Sequence, residues 1–308
     1  MRSFRTDLAM ECMGEGSAPM EGVTMETEQV GDIKLTRIRI ESDQAEKELG
    51  KSKGEYITLE NRQLFKCNTK QQRAMAKLIA KSVLGMLPPE GEVLVVGLGN
   101  RNVTADALGT RVVERMLVTR HLRHAMNEET RGKLRGVSAI APGVLGLTGI
   151  ETAELCKGLV EHVKPTSVIA IDALAAFESE RICTTIQITD TGIEPGSGVG
   201  NHRLGLTEQT LKVKVIAIGV PMVVYASTIA RDAMARLIEE YQIMPDKHRE
   251  ATATLLRQVS EGLMGDMVVT PREVDEMVLT VAEILSSGLN QALHPDLDTA
   301  ALHTYMHQ

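Results

Sequence analysis

The sequence has no tryptophan, three phenylalanines and four tyrosines. A core built from it must be aliphatic, filled by Val, Ile, Leu, Ala and some of the 16 methionines. The four cysteines, Cys12, Cys67, Cys156 and Cys183, form no CxxC pair; a zinc-ligand spacing is excluded, and reduced thiols in a cytoplasmic protein are expected. No run of Lys and Arg stands out and the formal charge is −7, so the basic surface that tracks nucleic-acid phosphates is lacking. No apolar run approaches the roughly 20 residues that span a bilayer, and no apolar h-region opens the chain. A soluble intracellular protein with no direct nucleic-acid binding and no membrane association is expected. What is abundant is apolar character, 43% of 308 residues, too much for a disordered chain and enough for one large α/β domain.

Residues 1–30, rich in Gly, Glu, Met and Thr, lack periodicity and read as a flexible leader; residues 31–308 read as a single α/β domain. Alternation over Ile33–Ile40 predicts a half-buried strand, and Gly54–Leu59 a second short one. Met75, Leu78, Ile79, Val83 and Met86 recur at helical steps, predicting an amphipathic helix over Lys70–Leu87 that Pro88, Pro89 and Gly91 stop. Val93–Val96, Val168–Ile171 and Val213–Ile218 are apolar runs, Val137–Ile140 is a further candidate strand, and Ala107–Arg123 and Glu151–Val163 read as intervening helices. That alternation implies a mainly parallel or mixed central sheet flanked by helices. From about residue 227 the chain reads as helical, over Ser227–Tyr241, Asp246–Met264 and Pro271–Leu289, the last capped by Thr270.

Two aspartates stand where buried strands are expected to end: Asp172 directly after Val168–Ile171, and Asp106 shortly after Val93–Asn100. The carboxyl ends of parallel strands open onto a common crevice. Two carboxylates meeting there can share a proton and activate water. Each has a structural alternative as a helix cap, Asp106 for the helix to Arg123 and Asp172 for a turn over Ala173–Ala176. Gly97-Leu98-Gly99-Asn100 could cradle a phosphate, but Asn102 stands where the third glycine of GxGxxG belongs and no Walker lysine follows. Between Asp190 and Arg203, four glycines and a proline make a long loop of the kind that shapes substrate sites. No GxSxG elbow supports a serine nucleophile.

Several segments together resemble the spore germination proteases, which degrade small acid-soluble spore proteins: Arg5–Ala9, Gly97–Asn100 with Asn102–Thr104 and Asp106–Gly109, Ala141–Val144, Ile171–Leu174, Asp190–Ile193 with Pro195–Asn201, and Gly219–Pro221. The resemblance implies an atypical aspartic endopeptidase, similar in fold to hydrogenase maturation endopeptidases, with the essential carboxylates at Asp106 and Asp172. It also implies a homotetramer, made as a zymogen that removes its own N-terminus; the spore core is the expected location, no cofactor is expected, and no residue is assigned as a metal ligand. Thr6-Asp7-Leu8-Ala9-Met10-Glu11 follows the acidic, apolar, small, acidic order of the family's substrate site, Thr-Glu-Phe/Ile-Ala-Ser-Glu, so self-cleavage is expected between Asp7 and Leu8. Asp190, Gly196, Ser197, Gly198, Asn201 and Arg203 are the expected substrate-binding residues of the loop. After Pro221 the chain departs from the family, with Met222 and Tyr225 where relatives carry Thr and Asp. Competing readings are a nickel-dependent maturation-type endopeptidase, which needs a histidine beside the two aspartates, and a non-catalytic nucleotide- or ligand-binding α/β protein.

Overall fold

The computed structural model describes residues 6–13, 20–124, 134–194, 204–240 and 267–297. Strands buried on both faces are largely apolar. Val93–Gly97 (β4), Ser167–Ala176 (β6, interrupted by Asp172) and Lys214–Tyr225 (β8) follow that pattern and form the centre of the sheet. β4 pairs in parallel with Val137–Ile140 (β5) on one side and with β6 on the other, and β6 pairs in parallel with β8. The remainder is antiparallel: Val23–Val30 (β1), Ile33–Ile40 (β2), Gly54–Glu60 (β3) and Thr185–Thr189 (β7) join edge to edge to β8, and Val268–Val269 (β9) pairs with the far end of β8. Among the described residues this is one nine-stranded mixed sheet flanked by helices, in the order β1-β2-β3-β7-β8-β6-β4-β5.

The short helices Ala9–Met13 (α1) and Asp43–Leu49 (α2) come first in the chain. One sheet face is covered by Thr69–Met86 (α3), Leu108–Val113 (α4) and, later in the chain, Val274–Leu293, burying Met75, Ile79, Val83, Leu108, Val281 and Leu285 against Val95, Ile169, Ile171 and Ile216. The opposite face carries Thr152–Val163 (α5), whose Cys156 and Val160 cover Val96, Val168 and Ala170. On that second face a third cluster, Ile38, Ile40, Tyr56, Leu174, Ala176 and Val224, is covered by the leader residue Leu8.

Several sequence expectations are corrected. The leader contains the edge strand β1, and Leu8, Ala9 and Met10 are buried. Asp172 does not close its strand: Ala173–Ala176 read as a helical turn by composition but pair with β8 as far as Val224, and a partner strand overrides weak local preference. The helix expected over Ala107–Arg123 stops at Val113, followed by a 3-10 segment over Arg120–His124. Ala226–Glu240 (α6) forms where expected, whereas the helix expected over Asp246–Met264 lies outside the described residues. The helix starting near Pro271 is Val274–Leu293 (α7); Thr270 caps nothing and instead donates its hydroxyl to the Met222 carbonyl at 2.8 Å. At the positions where the family resemblance fails, Met222 packs its sulfur 3.3 Å from Cys183 Sγ, and Tyr225 is buried where β8 pairs with β9.

Candidate active site

β4 is shorter than β6. β4 ends at Gly97, opposite Ile171, so Asp172 is the first residue of β6 with no β4 neighbour. Side chains alternate along a strand, so Asp172 faces the same way as Val168, Ala170, Leu174 and Ala176, toward the face that the leader covers. It is 6% exposed, and its Oδ1 accepts the Ala173 N–H at 2.9 Å.

The chain leaving β4 is folded back onto this point. Leu98 donates its N–H to the Ile171 carbonyl at 2.8 Å, and the 3-10 turn Thr104–Asp106 packs against β6 and β8. Asp106 Oδ2 accepts the Asn100 N–H at 2.7 Å. Gly99 holds φ +99°, and a Cβ there would stand 1.9 Å from the Asp106 carbonyl oxygen, so only glycine permits the turn to close. The Asp106 carboxylate is thereby tied to the turn just past the end of β4, and the Leu98–Ile171 main-chain bond brings the start of that turn beside the residue preceding Asp172. Because Asp106 occupies the Asn100 N–H and the Asn100 side chain occupies that of Asn102 at 3.0 Å, turn amides that would cradle a phosphate are already engaged. Among the described residues no three His, Cys, Asp or Glu side chains are grouped to hold a metal ion, so the set required by the nickel-site reading is not formed by them.

Residues Thr6–Met13 lie on this face. Asp7 donates its N–H to the Ala175 carbonyl at 3.3 Å and accepts the Ala175 N–H on Oδ2 at 3.0 Å, extending β6 with main-chain and side-chain bonds. Gln187 brackets the Asp7–Leu8 bond: Nε2 donates to the Asp7 carbonyl at 3.1 Å and Oε1 accepts the Ala9 N–H at 2.7 Å. Lys51 Nζ donates to the Asp7 carbonyl at 3.1 Å and to that of Thr6 at 3.0 Å. Leu8 is 0% exposed, and the chain then coils into α1.

Glu11, at the first turn of α1, sends its carboxyl into a buried pocket. Oε2 accepts the Phe177 N–H and Oε1 the Glu178 N–H, each at 2.9 Å; Arg181 Nε lies 3.4 Å from Oε1, and the Thr6 hydroxyl closes the set in a short hydrogen bond to Oε2. Burial pushes this carboxyl above the usual range, opposed by the Thr6 hydroxyl, the two amides and the Arg181 guanidinium. Arg181 is itself buried and shared with Glu60 and Glu178.

Beside Asp7 lies a cavity of about 140 Å³ lined by Lys51, Tyr56, Leu174, Gln187, Thr191 and Gly219, among others. Of the expected loop residues, Asp190 is described: its Oδ1 accepts the Glu55 N–H at 2.9 Å, fastening β7 to β3. Gly196, Ser197, Gly198, Asn201 and Arg203 lie outside the described residues. The feet of that loop are pinned beside the cavity by paired Ile193–Leu206 main-chain bonds of 3.0 and 2.8 Å. Lys51, Gln187 and Arg181 stand outside the motifs of the sequence, whereas Glu11 closes the substrate-like order Thr6–Glu11. Of the first three, Gln187 alone had a legible signal: Thr185, Gln187 and Thr189 alternate with Ile186 and Ile188, a strand with one polar face.

The model of the germination protease family matches residues 6–252 and 242–306. The chain belongs to the germination protease family. It is 44% identical to the germination protease of Caldanaerobacter subterraneus subsp. tengcongensis, over 99% of this chain and 98% of that protein. The germination proteases of Clostridium tetani, at 39% over 99% of both chains, and of Geobacillus sp., at 38% over all of this chain and 98% of that one, are similar along their whole length. Among solved structures, the [NiFe] hydrogenase maturation protease HycI from Thermococcus kodakarensis matches 68% of this chain and 98% of its own, with 15% identity and a TM-score of 0.33. The chain is thus a germination protease, an endopeptidase, and among the described residues no helix is long and apolar enough to cross a membrane.

Proposed function

We propose that this germination protease is an aspartic endopeptidase in which Asp106 and Asp172 activate water, that it cuts its own chain between Asp7 and Leu8, and that its substrates are small acid-soluble spore proteins cut in segments of the same pattern. The observation that carries the reading is the seat of Thr6–Glu11 on the face to which Asp172 belongs, with the Asp7 carbonyl held by Gln187 and Lys51. Asp172, Gly219 and Gln187 are consecutive partners across β6, β8 and β7. At about 4.8 Å per strand, Asp172 and the group holding the Asp7 carbonyl are roughly 10 Å apart at their Cα atoms. Gly219 lies between them, and the space that a side chain there would need is filled by Leu174.

One carboxyl of the pair, ionised, accepts a proton from water; the other, protonated, delivers one to the leaving nitrogen. Within such a pair the protons belong to the couple rather than to either residue. The leader resembles a substrate in sequence and occupies the groove, which supports a zymogen whose first substrate is itself. The homotetramer and the spore-core location rest on the family; exposed Ile229, Met234 and Leu237 on α6 supply apolar surface of the kind subunit contacts cover.

The test is incubation of the purified chain with a Thr-Glu-Ile-Ala-Ser-Glu peptide, alongside Asp106→Asn and Asp172→Asn. Mass spectrometry should show cleavage after the glutamate and loss of residues 1–7 in the wild type, insensitive to chelator, and neither reaction in either variant. Cleavage surviving both substitutions refutes the aspartate pair.

A further inference from the structure

The Asp7 carbonyl oxygen receives two side-chain donors, Gln187 Nε2 and Lys51 Nζ, both at 3.1 Å. Neither contact is a by-product of strand pairing. Gln187 is 6% exposed on the face shared with the leader, and its orientation is fixed from both ends, since the oxygen that accepts the Ala9 N–H forces the nitrogen toward Asp7. Lys51 leaves the segment between α2 and β3, directly after the left-handed Gly50 that ends α2, and reaches across to two successive leader carbonyls. A carbonyl flanked by a cationic and a neutral donor is poised to become an oxyanion, because both hydrogen bonds strengthen as charge develops on the oxygen.

We infer that Lys51 and Gln187 form the oxyanion-stabilising pair of this protease, a role resting on the reading that Asp7–Leu8, or its counterpart in a substrate, is the bond cut. Water oxygen attacks the Asp7 carbonyl carbon and gives its proton to the ionised carboxylate. The carbonyl π pair moves onto oxygen, where Lys51 and Gln187 hold it. When the pair returns, the C–N bond breaks and the Leu8 nitrogen takes a proton from the protonated carboxyl, leaving a new carboxyl terminus, a new amine and one proton on the aspartate pair. Polarisation of the carbonyl thus comes from the Lys51 side, and the aspartates serve proton transfer. The arrangement also explains a buried glutamine on the polar face of its strand: Gln187 holds the scissile carbonyl and the amide two residues further on.

The experiment measures kcat and KM of the full-length wild type, Lys51→Met, Lys51→Arg and Gln187→Met on the Thr-Glu-Ile-Ala-Ser-Glu peptide, and the half-time of self-cleavage of each chain by intact mass. Loss of one oxyanion donor typically lowers kcat on the order of 100-fold; Lys51→Met should do so with KM changed only a few-fold, and Lys51→Arg should restore part of the rate. Lys51 is half-exposed, so Lys51→Met should keep the wild-type circular dichroism spectrum. A kcat for Lys51→Met within about threefold of wild type, or a rise in KM alone, overturns the inference, the second outcome marking uniform binding rather than transition-state stabilisation. A wild type that cuts neither itself nor the peptide removes the cleavage reading first, and the inference with it, before any variant is consulted.

Discussion

Replacing Leu8 by Ala isolates the energy with which the leader holds the groove. Leu8 is fully buried against Ile38, Ile40, Tyr56, Leu174, Ala176 and Val224. Truncating a fully buried leucine to alanine costs about 2–4 kcal/mol. In a core helix that cost would appear in global stability. Here the truncated residue belongs to a short segment lying on a small cluster separate from the main core beneath α3 and α7, so the segment can undock while the sheet stays folded. At 1.4 kcal/mol per tenfold, the open fraction of the leader should rise by about 30- to 700-fold. The assay is amide hydrogen exchange in an Asp172→Asn background, which keeps the leader attached. The Asp7 and Ala9 amides, bonded to the Ala175 carbonyl and to Gln187, should exchange faster by that factor, and the thermal midpoint should move little. A large drop in midpoint with no selective change at Asp7 and Ala9 refutes the reasoning, because it would mean that the leader folds as one cooperative unit with the core.

Changing the final glutamate of the substrate peptide to glutamine should lower kcat/KM by about tenfold or more, since both oxygens of Glu11 accept hydrogen bonds and an amide would set a donor against donors; equal cleavage of the two peptides counts against this pocket as a substrate subsite. Gly99→Ala should destabilise the fold by more than about 1 kcal/mol in urea unfolding and abolish peptide cleavage, because the new methyl would fall on the Asp106 carbonyl at a positive φ; a fully active variant contradicts the placement of that turn. Asn290→Ala should cost about 2–4 kcal/mol, since the buried side chain accepts from Leu117 N–H and donates to the Arg115 carbonyl, at 2.9 and 3.0 Å, tying α7 to the end of α4. Burial lowers the affinity of His294 for its proton below the ordinary value of 6.5. The folded state therefore binds fewer protons there than the unfolded chain, so this contribution to stability is complete above pH 6.5 and is lost as pH falls below it. A His294→Leu variant should show a flatter decline in unfolding free energy between pH 7 and 5, and an unchanged slope rules the residue out as a source of acid sensitivity.

The parts of the fold legible in the sequence were those whose local pattern and tertiary role coincide. Val93–Val96 and Val215–Ile218 are apolar on both faces because helices or loops cover both sides, and Ile33–Ile40 alternates because it lies toward the sheet margin next to β1. The leader strand β1, with its burial confined to its ends, has no pattern to read; hairpin pairing with β2 alone makes it a strand. The end of the strand at Asp172 was not legible because Ala-Leu-Ala-Ala is compatible with a helical turn, while β8 offers a partner along its whole length. Asp106 and Asp172 were legible as candidates because a carboxylate beside a fully apolar run demands a reason.

The remaining site residues were hidden because their partners are distant in sequence and the contacts run to main chain. Lys51 touches the carbonyls of Thr6 and Asp7, Gln187 the carbonyl of Asp7 and the amide of Ala9, and Glu11 the amides of Phe177 and Glu178. Main-chain recognition leaves no complementary residue types to match across the sequence, so nothing in composition links position 187 to position 7. The same property suits the reaction. On the proposed mechanism, an enzyme that holds its substrate by carbonyls and amides, with an acidic, apolar, small, acidic side-chain order as the filter, would accept any chain presenting that order, its own leader included. The leader is held on the substrate face by the same Lys51 and Gln187 contacts proposed to stabilise the oxyanion. Weakening the grip of Lys51 should therefore slow self-cleavage and peptide cleavage together, whereas Leu8→Ala, which loosens the leader alone, should slow self-cleavage and leave peptide cleavage intact or faster. That opposite response separates a segment bound as substrate from one that is only packed nearby.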